Sequence, residues 1–167
     1  MQRVDSVTEH NVEPTLYREA MSRLVAAVHV VTTREGTARV GFTATAVASV
    51  SDSPPTLLVC INRRSRSAAA FRGAGCFAVN MLRGDQEAVA QSFGGRLTGE
   101  ERFAVGEWHD GILGAPCLSG ALAVFECSLV EMRTVATHDV LVGRVDAVIL
   151  GPKVPGLAYV GREYRVV

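Results

Sequence analysis

The feature that most limits the folds open to this chain is the spacing of its β-prone segments toward the C-terminus. Ala121 to Arg133, His138 to Leu150 and Leu157 to Tyr164 are rich in strand-forming residues, and only a few residues separate each from the next. A parallel neighbour needs a crossover of a dozen residues or more, so consecutive segments this close pair antiparallel. Upstream, His29 to Thr33, Arg39 to Val50, Thr56 to Ile61 and Cys76 to Leu82 also read as strands, with Arg34 to Thr37 as a turn. Pro54 and Pro55, after Ser51-Asp52-Ser53, are expected to stop the strand before them, because proline cannot donate to a ladder. The pattern predicts a mainly β fold with a few short helices, a barrel rather than a βαβ sheet.

Helical spacing is clearest near the start. Leu16, Ala20, Met21, Leu24 and Val28 recur at helical intervals, so a helix is expected over Thr15 to Ala27 with Thr15 as its cap. Ser65 or Ser67 can cap a short helix through Ala68 to Phe71 that Gly73 closes, and Asp85 to Phe93 reads as another, ended by Gly94-Gly95. Arg96 to Pro116 has loop composition and is long enough to suspect a functional role. Residues 1–14 read as a flexible N-terminal segment and 15–167 as one domain, with no repeat or linker inside it.

With 167 residues, 48% of them hydrophobic, the chain can bury a core without a disulfide or a metal. Basic and acidic residues balance at 17 each, which argues against a nucleic-acid footprint. The basic residues are Arg apart from Lys153, a bias compatible with an anionic ligand. Cys60, Cys76, Cys117 and Cys127 are 16, 41 and 10 positions apart, which fits neither a C-x-x-C pair nor a zinc site, and they read as small core residues. The polar start of the chain lacks the apolar stretch of a signal peptide, and no run is long enough to span a bilayer, so a cytoplasmic protein without membrane contact is expected.

Three segments are candidates for chemistry. Gly73-Ala74-Gly75-Cys76-Phe77-Ala78 matches the dinucleotide fingerprint G-x-G-x-x-A in letters. Its context is reversed, since a helix precedes it and a strand follows, and the glycines read as a helix stop. Asn62-Arg63-Arg64-Ser65-Arg66-Ser67 lies between a strand end and a helix start, where free N–H groups, hydroxyls and guanidinium groups suit a phosphate; a solvated turn with capping serines is the alternative. His138 begins a strand on its less apolar face, with Val140, Val142, Arg144 and Asp146, where a functional imidazole and a surface histidine look alike.

Taken in order, several segments resemble the flavin reductase-like family, the short-chain NAD(P)H:flavin oxidoreductases that serve two-component monooxygenases. They are Gly41 to Ala46, Ser49 to Ser51 with Pro54-Pro55, Arg64 to Ser67, Phe77 to Leu82, Phe93 to Gly95 and Arg102-Phe103. Gly114 to Pro116, Glu126-Cys127, His138, Gly143 to Val145 and Tyr159 to Tyr164 continue the match, which covers about residues 15–165. The resemblance implies a split β-barrel of the FMN-binding Greek-key type and a homodimer with flavin in a groove between subunits. It implies flavin contacts at Thr43, Ala44, Thr45 and Ala46, at Cys60, Ile61, Asn62 and Arg63, at Ser65, Ser67 and Ala68, and at Phe93, Gly94 and Gly95.

By the same resemblance His138 lies on the nicotinamide side as the expected catalytic residue, with Arg162 and Tyr164 as further nucleotide contacts. The family's histidine usually follows an Asp, whereas here Thr137 precedes it and Asp139 follows. The implied activity is hydride transfer from NADH or NADPH to FMN, or alternatively FAD, supplying a partner flavin-dependent monooxygenase. Two other readings remain: reduction of a different acceptor such as a corrinoid cobalt centre, and a non-enzymatic flavin- or heme-binding split barrel.

Overall fold

The computed structural model describes residues 12–167. Most of the segment read as a flexible N-terminus therefore lies outside the described residues, and Pro14 already opens the first helix. In chain order the elements are α1 (Pro14–Ser22), β1 (Ala26–Ala27), β2 (His29–Glu35), β3 (Ala38–Ala44), β4 (Val47–Asp52), β5 (Pro55–Asn62), α2 (Ala68–Gly73), β6 (Cys76–Met81) and α3 (Glu87–Gly94). A 3-10 helix (Gly99–Ala104) follows, then β7 (Trp108–Asp110), β8 (Pro116–Leu118), β9 (Ala123–Val135), β10 (His138–Leu150), β11 (Leu157–Val160) and β12 (Glu163–Val166).

Seven strands form one antiparallel sheet in the order β3-β2-β6-β9-β10-β5-β4. Its two edge strands, β3 and β4, are consecutive in the chain and joined only by Thr45 and Ala46, so the sheet must curl until its edges approach. The result is the expected split barrel. Inside it pack Val31, Phe42, Val59, Ile61, Phe71, Phe77 and Leu141, all buried. A second cluster, including Val30, Leu82, Ala90, Phe93, Phe103 and Leu118, covers the outer face of β2 and β6 under α3 and the 3-10 helix. Both faces of β6 and of β2 up to Thr33 are buried, which accounts for the nearly continuous apolar run of β6, while in β2 the buried Thr32 and Thr33 satisfy their hydroxyls on the Pro116 and Cys76 carbonyls. At the centre, the buried Asn80 is fully engaged: its amide donates to the Val30 carbonyl at 3.0 Å, and its oxygen accepts from the Leu118 N–H at 2.7 Å.

Two glycines let elements approach closely. A Cβ at Gly143, on β10, would lie 2.5 Å from Phe77 Cζ, and one at Gly41, on β3, would lie 2.8 Å from Phe93 Cε1. The second contact brings α3 down onto β3.

Several expected boundaries shift for identifiable reasons. The first helix starts at Pro14 with Glu13 as its cap, not Thr15, and ends at Ser22, because Ala26 and Ala27 are drawn into a short ladder with β11. None of its residues is buried; Leu16, Tyr17 and Met21 stay exposed, as does Leu24 just after it, so its apolar face has no partner among the described residues. The segment Arg39 to Val50 is two strands, bent at Thr45-Ala46. The prolines do not separate unrelated elements but turn a β4–β5 hairpin that pairs Asp52 with Pro55. Leu157 to Tyr164 is likewise a hairpin, turned at Gly161 and Arg162, both at positive φ. Arg96 to Pro116 is folded: Phe93, Phe103 and Trp108 stack with ring centroids 4.9 to 5.3 Å apart. Cys117 and Cys127 are buried as expected, while Cys60 and Cys76 are half-buried, and all four are free thiols.

Candidate active-site cleft

Where the curled sheet fails to close, an open cleft of about 760 Å³ lies between the end of β3, the end of β5, the start of β10, and α3 with the loop after it. That volume falls in the range of small-molecule sites. One wall is the stretch Phe42 to Ala46. The Gly41 carbonyl accepts from Ser67 and Arg102, so it faces away from β2. Backbone groups two residues apart on a strand point the same way, and the N–H and C=O of Thr43 therefore also face outward, free of the β2 ladder. The Thr43 hydroxyl is already engaged, donating to the Ala90 carbonyl of α3 at 2.6 Å. Thr43 thus offers its backbone to a ligand, and its side chain fixes α3. Phe93, Gly94 and Gly95 close that side of the cleft.

Opposite lie Cys60, Ile61 and Asn62 from β5, with His138, which pairs with Asn62 across the β5–β10 ladder. The Thr137 hydroxyl lies 2.9 Å from His138 Nδ1, which leaves Nε2 as the free ring nitrogen. Burial pushes the Cys60 thiol above its ordinary range, so it lines the cleft as a neutral group.

The basic end of the cleft differs in detail from the sequence expectation. Ser65 and Arg66 line it, but Ser67 is 4% exposed and its hydroxyl donates to the Gly41 carbonyl at 2.9 Å. Ala68 is buried as the first residue of α2, and Arg63 turns into a different cavity. The reason is that the Asn62 to Ser67 turn packs against β3, so Ser67 becomes a strut between α2 and β3. Ser65 Oγ accepts from the Ser67 N–H at 3.3 Å and keeps its own proton available to donate. Two further guanidinium groups complete this end, Arg96 and Arg102. Arg102 donates to the Leu97 carbonyl and the Gly41 carbonyl, each at 2.7 Å. Burial first, and then the neighbouring charge of Arg66, pull its pKa below the ordinary arginine value, so a negative ligand here would relieve stored repulsion.

Arg66, Arg96 and Arg102 were not singled out as site residues from the sequence. Arg66 stood inside the basic segment and Arg102 inside the Arg102-Phe103 motif, but their convergence depends on the fold of the 96–116 loop. Arg162 and Tyr164 do not reach the cleft. Arg162 pairs with Glu19 of α1 at 3.0 Å, and Tyr164 stacks on Tyr159 at 5.2 Å in the β11–β12 sheet, so the geometry of one chain gives neither a nucleotide contact. Among the described residues there is no cluster suited to a metal ion, and no helix is long and apolar enough to cross a membrane.

The model of the family described as "Flavin reductase like domain" matches residues 21–167. A curated relative from Ancylobacter novellus, named FMN reductase (NADH) RutF, is 50% identical over 151 residues, covering 90% of this chain and 83% of that protein. Among solved structures, the Streptomyces globisporus C-1027 NADH:FAD oxidoreductase SgcE6, in complex with NAD and FAD fragments, superposes with a TM-score of 0.85 at 28% identity, covering 93% of this chain and 95% of the other. BorF, the flavin reductase component of a bacterial two-component tryptophan halogenase, does so with a TM-score of 0.86 at 29% identity, covering 93% and 98%.

Proposed function

Because the chain belongs to the flavin reductase-like domain family and is an NAD(P)H-dependent flavin reductase, we propose that the cleft between β3, β5, β10 and α3 is where its flavin binds and is reduced. The observation that carries this assignment is the convergence on one cavity of twelve of the positions expected from sequence, Thr43 to Ala46, Cys60 to Asn62, Ser65, Phe93 to Gly95 and His138.

The cleft fits a flavin mononucleotide in shape and charge. When bound, the isoalloxazine supplies the hydride-accepting chemistry, taking a hydride from the dihydronicotinamide. The protein contributes placement. The outward N–H and C=O of Thr43 hold the polar edge of the ring system, and the small residues Ala44, Ala46, Gly94 and Gly95 let a flat ring approach the backbone. Ser65, Arg66 and Arg102 take the phosphate through charge-assisted hydrogen bonds. His138, at the start of β10, faces the nicotinamide, with Thr137 holding the ring in one orientation.

The preferred flavin is FMN, with FAD as the alternative; the 50% identical relative is named an FMN reductase, and the three guanidinium groups suit a terminal phosphate dianion. The acceptor downstream is a flavin-dependent monooxygenase, a reading supported by the similarity to a Mycobacterium thermoresistibile protein named nitrilotriacetate monooxygenase component B. The protein acts in the cytoplasm.

It acts as a homodimer. An apolar groove of about 490 Å³, lined by Val47, Leu57, Met81, Phe125, Val145 and Val148, opens beside the edge strand β4. The β9–β10 ribbon exposes Val130 at its middle and Ile149 and Leu150 at its end away from the turn, the last at 81%. Apolar surface of this extent next to an unpaired edge favours a symmetric partner. Light scattering of the flavin-saturated protein is expected to give twice the chain mass; a monomer mass would refute the dimer. Steady-state NADH oxidation with and without added FMN tests the activity itself: flavin-dependent turnover supports it, and NADH oxidation that ignores FMN contradicts it.

A further inference from the structure

A second cavity adjoins the cleft and holds basic side chains that the flavin site does not use. It measures about 390 Å³ and is lined by Arg63, Arg64, Arg72, Ala136 and Thr137. Arg63 follows Asn62 and Thr137 precedes His138, and the Arg63 N–H donates to the Thr137 carbonyl at 3.0 Å. The cavity therefore begins one residue, or about 4 Å of backbone, from Asn62 and His138, which line the cleft.

Its charge is unbalanced. Asp139 is the one carboxylate that answers these arginines among the described residues: it is 1% exposed and accepts from Arg72 at 2.9 and 3.0 Å, with Arg63 at 3.9 Å. That contact orients Arg72 and draws Arg63 toward it. Arg64 forms no salt bridge among the described residues, while its N–H donates to Asn62 Oδ1 at 2.9 Å and fixes the backbone from which the side chain extends.

In a reduced pyridine dinucleotide a single ribose separates the dihydronicotinamide from a doubly charged diphosphate. A donor whose ring lies beside His138 places that diphosphate one sugar away, and on the His138 side of the cleft the adjoining cavity is this one, where Arg64 has no salt-bridge partner among the described residues. We propose that Arg63, Arg64 and Arg72 form the binding site for the diphosphate of the reduced pyridine dinucleotide, with Arg64 as its main contact. The proposal rests on the reading of the chain as a nicotinamide-dependent flavin reductase.

The test compares NADH with reduced nicotinamide riboside, which carries the same dihydronicotinamide but no phosphate, in the wild-type enzyme and in Arg64→Glu, with FMN saturating. The ratio of kcat/KM for NADH to kcat/KM for the riboside is expected to fall by about tenfold or more in the variant, as loss of a charge-assisted contact implies. An unchanged ratio overturns the proposal, including the case in which both donors lose activity equally through damage to the fold. Failure of the wild-type enzyme to reduce FMN with either donor would refute the flavin reductase reading itself, and the proposal with it.

Discussion

The Thr137 hydroxyl sits 2.9 Å from Nδ1 of His138, so the imidazole that faces the cleft is oriented by a neutral partner. Asp139, the nearest acid in sequence, points to the opposite side of the strand, where it is buried against Thr134 and Arg72. His138 thus gains a fixed orientation without gaining a counter-charge.

If that orientation serves the nicotinamide, His138→Ala should lower kcat/KM for NADH by about tenfold and leave FMN affinity within about twofold. Thr137→Val, which keeps the shape and removes the hydroxyl, should shift the same parameter in the same direction by less. Stopped-flow reduction with FMN titration checks both. Loss of FMN binding in His138→Ala would place the imidazole on the flavin, and an unchanged rate would leave it a surface residue.

The phosphate assignment predicts that Ser65→Ala combined with Arg66→Ala weakens FMN by about tenfold or more while riboflavin, which lacks the phosphate, is nearly unaffected. Ser67→Ala should behave differently, since its hydroxyl braces β3: both flavins should weaken alike. Fluorescence titration with the two flavins separates the cases, and equal loss of both in the double variant would remove Ser65 and Arg66 from the phosphate.

Asp139 ties the cleft to acid stability. The Thr134 hydroxyl, together with Arg72 and Arg63, holds its carboxyl below the ordinary Asp range despite burial. A carboxyl depressed on folding contributes stability that is complete above its unfolded value near pH 3.9 and lost as pH falls through the lower folded value. Asp139→Asn should cost about 2 kcal/mol at neutral pH and show a shallower stability loss below about pH 4 than the wild type. Urea unfolding across pH 3 to 7 measures this, and parallel curves would contradict it.

Gly143→Ala should destabilise by about 1–3 kcal/mol, since the new methyl would meet Phe77 Cζ at 2.5 Å and Cys127 Cβ at 2.8 Å. Phe77→Leu in the same chain should restore part of the loss. Thermal unfolding of the single and double variants tests it; additive losses would show that the two sites do not share the clash.

The strands were legible in the sequence because their apolar runs are punctuated by glycine, proline and charged turns. The same local signals misjudged how elements join: the bend at Thr45-Ala46 and the β4–β5 turn arise because the sheet curls, a property of seven strands together. The cleft positions were legible chiefly through resemblance, since small residues such as Ala44 and Gly94 matter for what they leave empty. Arg96 and Arg102 were not legible as site residues because the stacking of Phe93, Phe103 and Trp108 folds the loop that carries them. Ser67 illustrates the reverse, a residue chemically suited to phosphate that packing turns inward.

The most direct test of the central claim is anaerobic addition of NADH to the protein loaded with one equivalent of FMN, followed at the flavin's visible absorbance. The account predicts rapid bleaching of bound FMN, much faster than for free FMN at the same NADH concentration, and recovery of the oxidised spectrum on admitting oxygen. Tightly bound FMN that NADH leaves oxidised would contradict it.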